Sequence, residues 1–293
     1  MLTFVNLLKF KHKSCVFNNI IEEEIPYNYI NLYVKITDVC NISCSFCEYH
    51  NKEADFTFDL DKFNYLIEQL TKENIHIHKV SFTGGEPTLA YHTLFACLKV
   101  LKELKYKPFI VVNSNGNNLV HLVEEKCIDS ISLSRHAIKD NECKQIANGR
   151  IKLADDIKSI IRNSKCSKIH LTCNLIKGHI QDEKSIVKYL EFAASLGIYD
   201  VGFVSLMQIN DFCRNNHIDF DDISFINKRV VCNKEWTYKD VCRCKNFLYL
   251  PKTGNKVVKF YSRYRCKNEM DSESNYVFDG KYLRSNFGGT IIF

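Results

Sequence analysis

Strand-like and helix-like segments alternate along most of this chain, and this alternation constrains the fold more than any other feature. The segments that read as strands are short and apolar: "NLYVKIT", "HKVSFT", "KPFIVVNS", "CIDSISLS", "KIHLTCNLI" and "DVGFVSL". Helix-like segments lie between most of them. Strands that alternate with helices form parallel sheets with right-handed crossovers. We therefore predict an α/β fold whose six-stranded parallel sheet is curled into a partial barrel or left open.

Two of the predicted helices carry signals at their ends. In "DLDKFNYLIEQLTKEN", Asp59 stands where an N-cap is expected, and the apolar residues that follow share one helical face: Leu60, Phe63, Ile67 and Leu70. The helix in "DEKSIVKYLEFAASLG" is predicted to end at Gly197, because glycine is a common C-cap. Ligands of parallel α/β sheets bind at the carboxyl ends of the strands, so we expect the functional residues there.

The alternation stops after about residue 207. The segments "NFLYL" and "KVVKFYSRY" then predict a hairpin around residues 252–255, with cysteines on both sides of it. We therefore predict an N-terminal extension at 1–31, a barrel domain at 32–206 and a small second domain at 207–293.

Composition excludes several classes of protein. The chain has 293 residues, 45% of them hydrophobic, so it can bury a core and is neither disordered nor fibrous. No segment approaches membrane-spanning length, and the first basic residues follow the N-terminal apolar patch, unlike those of a secretory signal. We expect a cytoplasmic protein, in which 14 cysteines are thiols or metal ligands. The net charge of +6 is spread along the chain, which argues against nucleic-acid binding.

Three cysteines occur within eight residues directly after the first predicted strand. They are Cys40, Cys44 and Cys47 of "CNISCSFC". A structural zinc site needs four ligands, usually supplied as two separated pairs, so this loop is a poor zinc site. A cubic 4Fe-4S cluster bound by three thiolates keeps one iron free of protein ligands. The spacing therefore favours a cluster with one open iron.

This loop resembles the cluster-binding loop of the radical S-adenosylmethionine (SAM) superfamily, including the aromatic Phe46 before the last cysteine. The resemblance implies a partial (β/α)6 barrel and a 4Fe-4S cluster on Cys40, Cys44 and Cys47. It implies that the open iron is chelated by the amino and carboxylate groups of SAM. Reductive cleavage then gives a 5'-deoxyadenosyl radical that removes hydrogen from the substrate. A reductant such as flavodoxin or ferredoxin is the implied electron donor.

The turns after the next strands match this family in order. "FTGGEP" resembles the glycine-rich turn that meets the methionine end of the cofactor, where a Cβ would block the approach, and "NSNG" resembles its polar turn. Polar residues on one face of the fourth and fifth strands are expected to point into the barrel, toward cofactor or ordered water. Arg135 is expected to pair with the cofactor carboxylate. The predicted cofactor-binding residues are Phe46, Gly84, Gly85, Glu86, Pro87, Ser114, Asn115, Ser132, Ser134, Arg135, Thr172 and Asn174.

Four further cysteines surround the predicted hairpin: Cys232, Cys242, Cys244 and Cys266. The segment "CRCKNFLYLPKTGNKVVKF" resembles the auxiliary-cluster region of the GTP 3',8-cyclases of molybdenum cofactor biosynthesis, and auxiliary domains of the twitch and SPASM type. This implies a second 4Fe-4S cluster, with a zinc site or free thiols as the alternatives. Four thiolates would saturate that cluster as an electron carrier, whereas three would leave an iron able to hold substrate.

The sequence departs from the GTP 3',8-cyclases at three points. Ser205 stands where an acidic residue is expected, the diglycine Gly288-Gly289 is followed by "TIIF", and the spacing of the auxiliary cysteines differs. The GTP reaction is therefore not predicted. The remaining cysteines occur singly and read as small buried hydrophobes: Cys15, Cys97, Cys127, Cys143, Cys166, Cys173 and Cys213.

The substrate is expected to be small and polar or nucleotide-like. Only residues 1–31 precede the first strand, whereas maturases of ribosomally made peptides often carry a longer peptide-binding region there. Such a maturase, with its peptide brought by a separate partner, is the alternative within this family, and an RNA-modifying radical enzyme is a narrower variant. From other classes, a non-catalytic iron-sulfur or zinc protein remains an alternative. No catalytic acid or base is assigned.

Overall fold

The computed structural model describes residue 8 and residues 28–47, 56–164, 168–232, 245–252, 256–263, 275–285 and 288–293. Eleven strands of this part form one sheet. They are β1 Tyr29–Thr37, β2 His76–Gly84, β3 Phe109–Ser114, β4 Ser130–Ser134, β5 Ile169–Leu175, β6 Asp200–Ser205, β7 Val230–Cys232, β8 Asn246–Tyr249, β9 Val258–Arg263, β10 Asn275–Phe278 and β11 Leu283–Arg284. Their order is β11-β10-β1-β2-β3-β4-β5-β6-β9-β8-β7.

The six predicted strands are confirmed as β1 to β6, and they pair in parallel in chain order. C-terminal strands continue the parallel sheet at both ends, with β10 beside β1 and β9 beside β6. Strand β8 then adds antiparallel to β9, β7 adds antiparallel to β8, and β11 adds antiparallel to β10. The fold is therefore the predicted α/β class, a partial barrel with additional antiparallel strands.

The helices are α1 Leu60–Lys72, α2 Tyr91–Lys102, α3 Leu119–Glu124, α4 Asp140–Ala147, α5 Ala154–Ser164, α6 Glu183–Leu196 and α7 Asp211–Asn215. Both predicted end signals are confirmed. The Asp59 side chain accepts a hydrogen bond from the Lys62 amide at the start of α1, and Gly197 ends α6 with a φ of 90°. Helices α3, α4 and α7 were not predicted, because each is short and lacks a long apolar repeat.

The two faces of the parallel strands differ in polarity. In β4, Ile131 and Leu133 are buried in the main hydrophobic core, which the helices cover. Ser132 and Ser134 alternate with them and therefore lie on the opposite face. Because side chains in register share a face, Thr172 of β5 lies beside Ser134 on that polar face. The carboxyl end of this face is where the site is built.

The predicted hairpin is confirmed as β8 and β9. Helix α6 holds it in place, because Glu191 accepts hydrogen bonds from the Tyr249 hydroxyl at 2.6 Å and from the Lys252 amide at 2.8 Å. The hairpin thus continues the barrel sheet, and the domain boundary at residue 206 stays a prediction. None of the described helices has the length and apolar character that crossing a bilayer requires.

The diglycine near the C-terminus lies beside the last strand. Gly288 has a φ of 76°, and the Gly289 carbonyl accepts a hydrogen bond from Arg284 at 3.1 Å. The residues after it fold back, since the Leu283 amide donates to the Phe293 carbonyl at 2.9 Å. The two glycines are therefore part of a chain reversal that follows β11.

Candidate cluster-binding site

The three-cysteine loop follows the carboxyl end of β1 and is held by the last turn of α4. The Ser43 amide donates to the Ala147 carbonyl at 2.9 Å, and the Ser45 amide donates to the Ile146 carbonyl at 3.1 Å. These carbonyls belong to the end of a helix, where they have no partner within the helix. The C-terminus of α4 therefore fixes the backbone between the three cysteines.

The residues that end α4 make room for the loop. Asn148 adopts a left-handed conformation with a φ of 44°, which turns the chain at the helix end. At Gly149, a Cβ would lie 2.9 Å from the Ile42 Cγ2 atom. Glycine at this position lets the chain after α4 pass directly against the loop.

The three thiols are partly buried and interact electrostatically. Burial, and to a smaller extent the neighbouring Cys47 and Cys40 thiols, raise the pKa of Cys44 to about 12. Burial also raises the pKa of Cys40. Three thiolates in this loop therefore need a cationic partner. In a cubic cluster each thiolate binds its own iron, so the three sulfur atoms do not have to meet at a single metal ion. The loop fits an iron-sulfur cluster.

A small apolar cluster lies beneath the loop. Its buried members are Ala137, Cys143, Ile146, Ile176, Leu206 and Cys213, and Phe46 packs against them. This confirms that Cys143 and Cys213 are buried hydrophobes. The neighbouring Asn210 accepts from the Cys213 amide at 2.8 Å and donates to the Ser45 carbonyl at 3.2 Å. Asn210 therefore joins the start of α7 to the loop.

The glycine-rich turn after β2 packs against the segment that leads into Cys40. The Gly85 amide donates to the Thr37 carbonyl at 2.7 Å, and the Glu86 amide donates to the Val39 carbonyl at 2.8 Å. A Cβ on Gly84 or Gly85 would lie far inside van der Waals distance of the Thr37 or Val39 carbonyl oxygen. The glycines thus allow two strand ends to approach each other, and their contact with a cofactor stays a prediction.

Glu86 joins this turn to the polar turn after β3. Its side chain is 1% exposed. One carboxylate oxygen accepts from the Thr88 amide at 3.1 Å, the Thr88 hydroxyl at 2.7 Å and the Ser114 hydroxyl at 2.9 Å. The other accepts from the Asn115 amide at 2.7 Å. Pro87 follows as the first residue of the 3-10 turn Pro87–Ala90. The structure therefore places Glu86 as a tie between two strand ends.

Asn115 extends this hydrogen-bond network to the cysteines. Its side-chain amide donates to the Asn41 side chain at 2.8 Å and lies 3.8 Å from the Cys40 sulfur. Hydrogen bonds from neighbouring residues orient metal ligands and tune the metal. The two turns predicted from sequence are thus brought together at the three-cysteine loop.

The polar residues of β4 and β5 are also brought together. The Ser132 and Thr172 hydroxyls lie 2.8 Å apart. Ser134 is in register with Thr172, and Asn174 continues the same face of β5. These four residues line the polar face toward its carboxyl end, as predicted, while their contact with a cofactor stays a prediction.

Arg135 is not part of this group. Its guanidinium forms an ion pair with Asp140 at 2.6 Å, donates to the Ile138 carbonyl at 2.8 Å, and lies 5.0 Å from the centre of the Phe192 ring. Arg135 alternates with Ser134 and therefore lies on the helix-covered face of the sheet. The structure gives its charge a partner there, and its predicted pairing with a cofactor stays untested.

His136 was missed from the sequence. Its Nδ1 atom accepts a hydrogen bond from the backbone amide of Asn174 at 3.0 Å. Its ring packs edge-on against the Phe46 ring, with the ring centroids 4.7 Å apart. Burial, and to a smaller extent the charge of Arg135, lower the pKa of His136 to about 4. The two-residue period of Ser132 and Ser134 reaches His136, so extending it past the predicted strand end would have found this residue.

Of the four predicted auxiliary ligands, only Cys232 lies within the described residues. It is the last residue of β7 and is exposed. Cys242, Cys244 and Cys266 lie outside the described residues. The second cluster therefore stays a prediction.

The chain is similar to known proteins in sequence. A family model described as the radical SAM superfamily matches residues 34–193, more than half of the chain. A probable GTP 3',8-cyclase of Saccharolobus islandicus is 25% identical over 212 residues, which cover 70% of this chain and 67% of that protein. The GTP 3',8-cyclase of Aquifex aeolicus is 26% identical over 220 residues, which cover 71% of this chain and 65% of that protein.

Two solved structures share the fold at low sequence identity. A radical SAM methyltransferase from Sphaerobacter thermophilus has a TM-score of 0.52 and 15% identity, over 67% of this chain and 61% of that chain. SuiB of Streptococcus suis, bound to S-adenosylmethionine, has a TM-score of 0.51 and 16% identity, over 65% of this chain and 44% of that chain. This chain therefore spans less than half the length of SuiB.

Proposed function

Because the chain belongs to the radical SAM superfamily, we propose that it removes hydrogen from a small polar or nucleotide-like substrate by means of a 5'-deoxyadenosyl radical. The family implies a 4Fe-4S cluster and S-adenosylmethionine as cofactors. The observation that carries the proposal is the three-cysteine loop, held by α4 and α7 at the carboxyl end of the parallel strands. When bound there, the cluster supplies the electron that cleaves S-adenosylmethionine.

In this proposal Cys40, Cys44 and Cys47 bind the cluster, and the turns around Glu86 and Asn115 hold the loop and border the cofactor. Phe46 covers the apolar cluster beneath the loop. These residues exclude water from one side of the site and fix the positions of the thiols. The chain thus supplies binding and orientation, while the difficult chemistry belongs to the cofactor.

The side chains on the polar face of the parallel strands support a polar substrate. Asn113 of β3 is in register with Ser132 of β4, and Ser134 of β4 is in register with Thr172 of β5, so these side chains share this face. Asn174 continues the same face of β5. The Ser132 and Thr172 hydroxyls share one hydrogen bond, so one of their two protons would stay unpaired against an apolar substrate, which costs free energy. The names of the curated relatives, which are GTP 3',8-cyclases, favour a nucleotide-like member of this class. Ser205 at the expected acidic position is the reason for not proposing GTP itself.

We further propose a second 4Fe-4S cluster on Cys242, Cys244 and Cys266, with Cys232 as a fourth ligand. The support is their spacing around the β8–β9 hairpin, which lies against the barrel sheet beside β6. Such a cluster would accept an electron from an oxidised substrate radical if four thiolates bind it. With three thiolates it would hold substrate at its open iron.

The experiment is anaerobic reconstitution with iron and sulfide, followed by incubation with dithionite and S-adenosylmethionine. The wild type is expected to form 5'-deoxyadenosine, and the Cys40→Ala/Cys44→Ala/Cys47→Ala variant is expected to form none. Cys127→Ala is the matched control, since Cys127 is half-buried before β4 and outside the loop. Absence of 5'-deoxyadenosine from the reconstituted wild type would refute the proposal in favour of a non-catalytic iron-sulfur protein.

The substrate class is tested by isotope transfer. Deuterated nucleotides and deuterated precursor peptides are offered separately, and deuterium in 5'-deoxyadenosine is measured by mass spectrometry. Transfer from a nucleotide or another small polar compound is expected. Transfer from a peptide alone would establish the alternative, a maturase of a ribosomally made peptide.

A further inference from the structure

His136 follows the carboxyl end of β4, directly beside the three-cysteine loop. It continues the two-residue alternation of Ser132 and Ser134 and thus lies on the polar side of the sheet. Its ring contacts Phe46, the residue before Cys47. The imidazole therefore borders both the loop and the polar face.

The Nδ1 atom of His136 replaces a backbone carbonyl in the β4–β5 ladder. The Arg135 amide donates to the Thr172 carbonyl at 3.0 Å. Two residues further along β5, the backbone amide of Asn174 donates to His136 Nδ1 at 3.0 Å. Because Nδ1 accepts this hydrogen bond, it carries no proton, and a neutral imidazole must then carry its proton on Nε2.

The imidazole is held neutral. Burial favours the uncharged form, and the positive charge of Arg135 opposes a second positive charge nearby, so the pKa of His136 is lowered to about 4. At neutral pH the ring therefore has one fixed donor, Nε2–H, and no exchangeable charge. Such a group suits hydrogen bonding to a ligand better than proton transfer at neutral pH.

Within the described part of the chain, Nδ1 is the ring nitrogen with a hydrogen-bond partner, and Nε2–H has none. The side chain is half-buried, so a ligand that fills the site would surround this donor. A donor left unpaired in a filled site weakens binding, which selects ligands that offer an acceptor.

We propose that His136 binds S-adenosylmethionine, donating from Nε2–H to one of its oxygen acceptors, while Nδ1 caps the end of β5. The acceptor class is a carboxylate or hydroxyl oxygen. This inference rests on the proposed function, since it requires that S-adenosylmethionine occupy the loop. His136 would then have two separable roles: Nε2–H binds the cofactor, and Nδ1 holds the end of β5.

Two variants separate these roles. In His136→Asn the side-chain oxygen can take the place of Nδ1 and accept from Asn174, but the Nε2–H donor is lost. In His136→Gln the side-chain NH2 can take the place of Nε2–H, but the acceptor for Asn174 is lost. The readouts are the thermal unfolding temperature of the cluster-free protein and the affinity of the reconstituted protein for S-adenosylmethionine, measured by equilibrium dialysis.

His136→Asn is expected to unfold near the wild-type temperature and to bind S-adenosylmethionine about tenfold more weakly, the loss of about one hydrogen bond. His136→Gln is expected to unfold at a lower temperature and to bind within about threefold of the wild type. Wild-type affinity in His136→Asn would overturn the proposal and leave a purely structural histidine. Failure of the wild type itself to bind would refute the proposed function instead.

A measurement on the wild type keeps the test independent of folding. Diethyl pyrocarbonate modifies accessible imidazole nitrogens, and mass spectrometry locates the modified histidines. S-adenosylmethionine is expected to protect His136 in the reconstituted protein, while His92 on α2 serves as a control whose modification stays unchanged. Equal modification of His136 with and without S-adenosylmethionine would also overturn the proposal.

Discussion

Replacing Glu86 by glutamine tests whether this residue ties the ends of β2 and β3 together. Its carboxylate accepts four hydrogen bonds, two of them from the backbone amides of Thr88 and Asn115. Glutamine has one acceptor oxygen, so its NH2 group must face one of these two amides, and that amide loses its partner. Because the site is buried, the variant has one unsatisfied donor, and its remaining hydrogen bonds no longer go to a charged acceptor. Together these changes lower the free energy of unfolding by about 3 kcal/mol.

The assay is thermal unfolding of the cluster-free protein, followed by circular dichroism under reducing conditions. In a domain of this size about 3 kcal/mol corresponds to a decrease of about 6 °C. Glu183→Gln is the matched control, because a single Glu183 oxygen accepts from the Ile226 and Asn227 amides at the surface, and glutamine can keep that oxygen in place. Glu183→Gln is expected to change the unfolding temperature by less than about 2 °C. Equal temperatures for the two variants would show that the buried carboxylate does not hold the strand ends together.

Three further outcomes are expected. Gly85→Ala should displace the segment before Cys40, because its Cβ would overlap the Val39 carbonyl. The reconstituted variant should hold less iron per chain than Gly178→Ala, which is strained by a φ of 84° but whose Cβ meets no neighbour. The variant that lacks Cys40, Cys44 and Cys47 should retain roughly four irons on the auxiliary cysteines; loss of all iron would contradict the second cluster. Since the pKa of His136 is lowered to about 4, its folded form resists protonation, so the free energy of unfolding of the cluster-free protein should decrease as the pH falls from about 6.5 to 4. In His136→Asn this part of the decrease should be absent, and equal pH profiles would contradict the assignment.

The barrel and the cysteine loop were predictable because their signals are local. Apolar runs of β-strand length, the cap at Asp59 and the spacing of Cys40, Cys44 and Cys47 can all be recognised within a few neighbouring residues. The hairpin of β8 and β9 was found for the same reason. Each of these features depends on residues that are close in sequence.

Other features depend on distant residues and were not predicted. Helix α4 has eight mostly polar residues and no side-chain N-cap, so nothing in its own sequence shows that its last carbonyls hold a loop that lies far earlier in the chain. Strand β10 is four residues long, and its place beside β1 follows only from the tertiary fold. Arg135 is different, because the alternation that placed Ser134 inside the barrel also places its neighbour outside.

The pairing of β1 with β10 has a consequence for how the protein is made. Asn31 of β1 donates to Asn275 of β10 across 244 residues of sequence. During synthesis from the N-terminus, one edge of β1 therefore stays unpaired until nearly the whole of this sequence has left the ribosome. Unpaired strand edges and late long-range contacts slow folding and favour aggregation. Chains interrupted after α7 but before residue 275 are accordingly expected to need chaperones, even though they contain the three cysteines and the helices that hold their loop.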